Sequence, residues 1–260
     1  MSFLPLSSLL LIAAALGAAG DTGLASDGVL VAARSADLLR PLRLADPVPL
    51  PAAGSYGRAA AGEIVTGLVQ GAPGEPHRAW AVAVLDVPVD SLWAAVNDEL
   101  GFADEAWGGR GWVVDGQACA DGRASLVTLP VPILPDRWWV VRYRQNPTLE
   151  RRSDGTLREL SWREEPDGLG WATPGQRAAV EGGREVAISR GAWLLIALDE
   201  QRTLVEYQLQ SDAGGSLPQT AAAAFCASAI RNTLRAMEAR AARGAAGCSP
   251  SSHTISKESP

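Results

Sequence analysis

The sequence predicts an α+β domain in which a long antiparallel sheet is followed by a long terminal helix. Six stretches of strand character, Gly111 to Cys119, Arg123 to Leu129, Trp138 to Gln145, Thr156 to Glu164, Glu185 to Leu198 and Thr203 to Gln210, follow one another, separated by segments that contain Gly, Asp or Pro and interrupted by the loop Gly168 to Gly183. Consecutive strands with no helix between them form an antiparallel meander. After Leu217-Pro218-Gln219-Thr220, an alanine-rich run passes through Phe225, Ile230, Leu234 and Met237 to about Arg243 with no breaker inside, which predicts a helix of about 25 residues. Hydrophobic residues make up 47% of the 260-residue chain and charged ones 20%, enough for a packed core.

The chain divides into four segments. Residues 1–20 carry no charge and contain the apolar run Leu9 to Leu16, followed by the small residues Gly17, Ala18 and Ala19. This is the pattern of an export signal, and it predicts a periplasmic or secreted protein. The signal lacks a basic start, so an uncleaved membrane anchor and a cytoplasmic start are the alternatives. The run falls short of the roughly 20 apolar residues a spanning helix needs. Residues 21–61 read as an N-terminal arm: Ser35 to Arg40 has short-helix character, and Pro41, Pro47, Pro49 and Pro51 break regular structure. Residues 62–243 form the domain, and residues 244–260 read as a disordered Ser/Pro/Gly tail.

The domain opens with a strand from Gly62 to Val69. A second follows at Arg78 to Val87, where the continuous apolar run Ala79 to Leu85 reads as buried. Pro88 and Asp90 then start an amphipathic helix that places Val89, Leu92, Trp93 and Val96 on one stripe.

Several function classes are excluded by composition. The net charge is −6 and no dense Lys/Arg run occurs, so neither nucleic acid nor an anionic lipid surface has an electrostatic footprint to meet. Any membrane contact is therefore expected to be transient and apolar. His77 and His253 are the only histidines, which leaves no basis for a triad or a multi-histidine metal site. Asp104-Glu105 and Glu164-Glu165 are neighbours that point apart on a strand, so neither pair makes a shared acid/base site. Gly108 to Gly111 reads as a turn. Cys119, Cys226 and Cys248 read as isolated thiols, with one disulfide and a leftover thiol as the alternative. No catalytic residue, metal or cofactor is expected.

Nine tryptophans against three Phe and three Tyr stand out. Trp112, Trp138, Trp139, Trp162 and Trp193 fall on strands and Trp171 on the loop Gly168 to Gly183, where they suit either a bulky core or a cavity wall. Strand alternation puts Val205 and Tyr207 on the inner face of the last strand. On the strand 138–145, Trp138, Val140, Arg142 and Arg144 oppose Trp139, Val141, Tyr143 and Gln145, and hydrophobicity makes the second set the core.

Gly191-Ala192-Trp193-Leu194-Leu195, Thr203 to Tyr207 and Asp212-Ala213-Gly214-Gly215-Ser216-Leu217-Pro218 resemble the closing strands and helix lead-in of the START (steroidogenic acute regulatory related lipid transfer) domains, members of the helix-grip superfamily. Pro135 to Arg142 is similar to the family's Arg-Asp-Phe strand, with acid and base transposed and Trp138 in place of Phe. The resemblance spans roughly Trp80 to Arg240. It implies a curved sheet wrapped around the terminal helix, with a cavity between them for a lipid, sterol-like or acyl, or another hydrophobic small molecule. It also implies that Arg142 points into the cavity as a polar anchor, although no acid stands on the preceding strand to pair with it. The expected ligand-binding set is Trp112, Trp138, Arg142, Trp162, Trp171, Trp193, Val205, Tyr207 and Phe225, with the terminal helix and the loop Gly168 to Gly183 as the gate, in a monomeric carrier. A cyclase or aromatase-like enzyme of the same superfamily is the alternative, and a ligand-free interaction module is a third reading.

Overall fold

The computed structural model describes residues 27–46, 51–72, 75–131, 133–212, 219–244 and 248, without the side chains of 106–107 and 219–227. The expected leader, most of the expected tail and the lead-in at 213–218 lie outside the described residues.

One sheet organises the molecule. Its strands are β1 (Val65–Val69), β2 (Arg78–Leu85), β3 (Arg110–Asp115), β4 (Ala124–Leu129), β5 (Arg137–Gln145), β6 (Leu157–Glu164), β7 (Arg184–Glu185), β8 (Ser189–Ala197) and β9 (Thr203–Ser211). The order across the sheet is β1-β2-β9-β8-β6-β5-β4-β3, antiparallel throughout, with the short β7 lying parallel beside β5. The strand order of the meander read from the sequence is present, but the series expected to be free of helix is interrupted by α5 (Pro147–Arg152) between β5 and β6 and by α6 (Pro174–Ala178) between β6 and β7; the pairing of β2 with β9 extends the sheet with the first two strands. Together with the terminal helix α7 (Gln219–Ala242), this is the expected helix-grip arrangement of an antiparallel sheet and a long terminal helix.

One face of the sheet holds α7. Ile230, Leu234, Met237 and Ala241, spaced three or four residues apart, are buried against Ala79, Ala83 and Leu85 of β2 and against Leu92 and Val96 of α3 (Val89–Asn97). That spacing puts them on one stripe of the helix. The small side chains Ala79, Ala81 and Ala83 let the helix approach the strand closely.

A second helix, α4 (Glu99–Trp107), stands where the sequence reading had no element. Its signals are local: the Asp98 side chain accepts from the Gly101 N–H, and Gly108 ends the helix in the left-handed conformation at φ 61°. Arg240 near the end of α7 forms ion pairs with Asp98 and with Glu105 of α4, and Arg243 also pairs with Glu105.

Cys119 and Cys248 form a disulfide with Cα atoms 5.6 Å apart, which corrects the isolated-thiol reading. It ties the chain beyond α7 to the β3–β4 turn, and Cys248 is buried. The tail is therefore held to the domain at this point. The thiol of Cys226 lies outside the described side chains.

The arm is also corrected. Residues 27–37 form a helix (α1), Arg40–Leu42 a 3-10 turn and Ala53–Ala60 the helix α2. Val29, Ala33, Ala36, Tyr56 and Ala59 pack on Val82, Leu194, Ile196 and Leu204 on the convex face of the sheet. Each such side chain contributes about 1.5–3 kcal/mol when large and apolar. The prolines break the arm into pieces without preventing helix in any of them. The arm also explains β2: its apolar run is continuous because α7 covers one face and the arm the other.

Candidate ligand-binding site

Strand register sorts the predicted residues onto two faces. Val205 pairs with Leu195, Tyr207 with Trp193, Trp193 with Leu160, and Trp162 with Tyr143. Directly paired residues project to the same side, so Trp162, Trp193, Val205 and Tyr207 share the concave face that holds α7. There they form an aromatic row. The Trp193 and Tyr207 rings lie 4.4 Å apart, Trp162 and Tyr207 5.8 Å, and Tyr143 and Trp162 6.5 Å. Trp193 and Tyr207 are buried, whereas Tyr143 and Trp162 keep partial accessibility. Gly191 makes room for the Trp162 ring, since a β-carbon there would lie 2.4 Å from it.

Trp112, Trp138, Arg142 and Trp171 lie on the opposite face. Arg142 pairs in register with Ala124 and Trp138 with Thr128, and the 3-10 turn Gly168–Trp171 packs on β3, β4 and β5 here. Trp112, Trp138 and Leu169 pack with the buried Leu126, Val140, Ala172 and Val180 in a separate cluster. The loop Gly168 to Gly183 therefore caps the convex face, away from α7. The Arg142 guanidinium sits 4.9 Å from the centroid of the Trp171 ring and pairs with Glu165 at 2.7 Å and Asp115 at 2.9 Å. The inward Arg142 implied by the resemblance is thus corrected: the hydrophobic pattern, which put Tyr143 inside, identified the face. The acid missing from β4 comes from β3 and from the residue after β6. Phe225 belongs to α7, and its side chain lies outside the described residues.

The arginine beside Tyr143 on the concave face is Arg123, just before β4, which the sequence reading did not single out; Arg158 of β6 lies further along the same face, over the Trp93 ring and paired with Asp90 and Glu150. Arg123 is fully buried, donating from Nε to Glu99 Oε1 at 2.8 Å and from Nη2 to Glu99 Oε2 at 2.6 Å. Its remaining hydrogen bonds go to the Asn97 and Ala120 carbonyls, and Ser125 Oγ donates to Glu99 at 2.8 Å. Arg123 lies 4.7 Å from the Tyr143 ring centroid. Burial pushes the Tyr143 phenol well above its ordinary range; the Glu99 carboxylate adds to this and the Arg123 charge opposes it. Only the three-dimensional pairing of β4 with α4 reveals this cluster, because its members stand 24 residues apart.

Two depressions lie elsewhere. One of about 310 Å³ at the sheet margin is lined by Arg78, Arg142, Arg190, Glu164 and Gln208 among others. Another of about 480 Å³ lies between Trp138 and α6. The first is too charged for an apolar ligand, and neither is the space between the aromatic row and α7.

Other candidate groups have structural roles. His77 Nδ1 accepts from the Gly71 N–H at 3.2 Å, closing the β1–β2 turn. Glu105 and Glu165 are spent in the ion pairs above. Among the described residues no group of His, Cys, Asp or Glu suits a metal ion, and no helix is long and apolar enough to cross a membrane.

No family model matches the chain, and no curated protein does. Solved structures do. The human StAR-related lipid transfer protein 5 superposes with a TM-score of 0.54 at 12% identity, covering 85% of this chain and 98% of that one. A STAR-related lipid transfer protein from Xanthomonas axonopodis gives 0.52 at 17%, covering 68% and 98%. The lipid transfer and protein localization domain of human StarD13 gives 0.51 at 15%, covering 73% and 98%.

Proposed function

We propose that this chain, on its START helix-grip fold, binds and carries a lipid or other hydrophobic small molecule between the concave face of the sheet and α7. The observation that carries this reading is the aromatic row Tyr143, Trp162, Tyr207 and Trp193 on that face, two of whose members keep accessible surface. Apolar contact with such a wall supplies about 25 cal/mol per Å² before ordering costs. The protein works outside the cytoplasm, a reading supported by the Cys119–Cys248 disulfide, since such bonds persist in oxidising compartments.

Delivery is by brief apolar contact with a membrane through the β4–β5 turn. Ile133 there is wholly exposed and Leu134 half-exposed, and the turn lies at the sheet end where β9 finishes and the chain proceeds to α7. Ile133 also has φ 71°, an unfavourable conformation for a β-branched residue.

The test is native mass spectrometry of the protein purified from its own host, followed by lipid extraction. A stoichiometric bound lipid is the expected result. An empty protein that also ignores a panel of lipids would overturn the carrier reading.

A further inference from the structure

We propose that the ligand is uncharged and presents an acceptor oxygen, a hydroxyl, ester or carbonyl, to the Tyr143 hydroxyl at the inner wall of the site. The inference rests on the carrier reading and adds the chemical class of the cargo.

It follows from which polar groups on the concave face are already engaged. Arg123 is the charge under the aromatic row, yet both arms of its guanidinium end on Glu99 and on backbone carbonyls, and none of its surface is accessible. Glu99 is equally occupied by Arg123 and Ser125. A lipid carboxylate or phosphate would find no free counter-charge there, and burying an unpaired charge is far more costly than burying a dipole.

The Tyr143 hydroxyl, by contrast, makes no hydrogen bond with the described residues, and its ring keeps accessible surface on the face that holds α7. The Arg123 guanidinium lies 4.7 Å from the ring centroid. A free donor beside an ion pair whose two charges are already matched favours a neutral acceptor.

Equimolar mixtures of 1-hexadecanol, methyl palmitate, hexadecane and palmitate, and of cholesterol, cholestane and cholesteryl sulfate, are incubated with the full chain. The re-isolated protein is then analysed for bound lipid. The wild type is expected to retain the neutral oxygen-bearing members roughly tenfold over both the hydrocarbons and the anions, the range of one hydrogen bond. Tyr143→Phe should lose the preference over the hydrocarbons while keeping its melting temperature, because no protein hydrogen bond is removed. An unchanged preference in Tyr143→Phe, or enrichment of palmitate or cholesteryl sulfate, overturns this inference and leaves the carrier reading standing. Retention of nothing overturns both.

Discussion

Arg40, in the 3-10 turn of the arm, reaches Glu206 of β9 with two parallel hydrogen bonds, Nη1 to Oε2 at 2.8 Å and Nη2 to Oε1 at 2.7 Å. The Tyr56 hydroxyl donates to the same carboxylate at 2.8 Å. Arg43 does the equivalent for the neighbouring buried Glu159, joined by the Leu44 and Ala45 N–H groups and Asn146. Two carboxylates on the convex face of the sheet are thus neutralised by the arm, which makes the arm part of the folded unit.

Breaking this pair is expected to be expensive. Arg40→Ala should lower unfolding stability by about 3 kcal/mol, since it leaves a buried carboxylate without its counter-charge. Burial alone would raise the Glu206 carboxyl, but Arg40, with Arg43 and Tyr56, outweighs it and holds the group below the usual range. A carboxyl depressed in the folded state stabilises above its unfolded value near 4.5 and loses that contribution as pH falls through the lower folded value. Urea titrations from neutral pH down to about pH 3 should show an acid-side loss of stability that is reduced in Glu206→Gln.

The disulfide closes a separation of 129 residues. Reducing it, or making Cys248→Ser, should cost about 2–4 kcal/mol. Thermal melts with and without reductant measure this, and the Cys248→Ser protein should no longer respond to reductant.

The two faces of the sheet separate two tryptophans that the sequence left equivalent. Trp162→Phe should weaken lipid retention roughly threefold to tenfold, because it removes contact area from the concave wall. Trp138→Phe, on the convex face, should leave retention unchanged at a similar cost in stability. Equal losses in binding would contradict the placement of the site.

Replacing Ile133 and Leu134 together by Ser should slow lipid delivery to zwitterionic vesicles about tenfold while binding in solution persists, since two apolar side chains are removed from the membrane contact. The rate should vary little with salt, as expected for an apolar contact without basic residues. A strong salt dependence of the wild-type rate would point to a different docking surface.

How far each part could be read depends on how local its signal is. The strands from β3 to β9 and helix α7 were legible because period-two alternation and an unbroken alanine-rich run are properties of consecutive residues. Helix α4 was missed although Asp98 and Gly108 mark its ends, because Gly101 and two acids interrupt its apolar pattern. Of the concave-face residues, Val205 and Tyr207 came from alternation, whereas Trp162 and Trp193 were read only as strand tryptophans suited to a core or a cavity wall. Arg142 was led astray by the resemblance, whose transposed acid and base already marked a departure at that strand.

By itself, then, the sequence determined the α+β class, the meander, the terminal helix and the inward side of the last strand, all set by short-range periodicity and turn residues. Only the tertiary structure decided which tryptophans share the wall with α7, that the arm is a second cover for the sheet, that Cys119 meets Cys248, and that Arg123 with Glu99 underlies Tyr143. Those relations join residues far apart in the chain, and no local pattern encodes them; they arise when both faces of one sheet must be buried at once and each buried charge must find a partner.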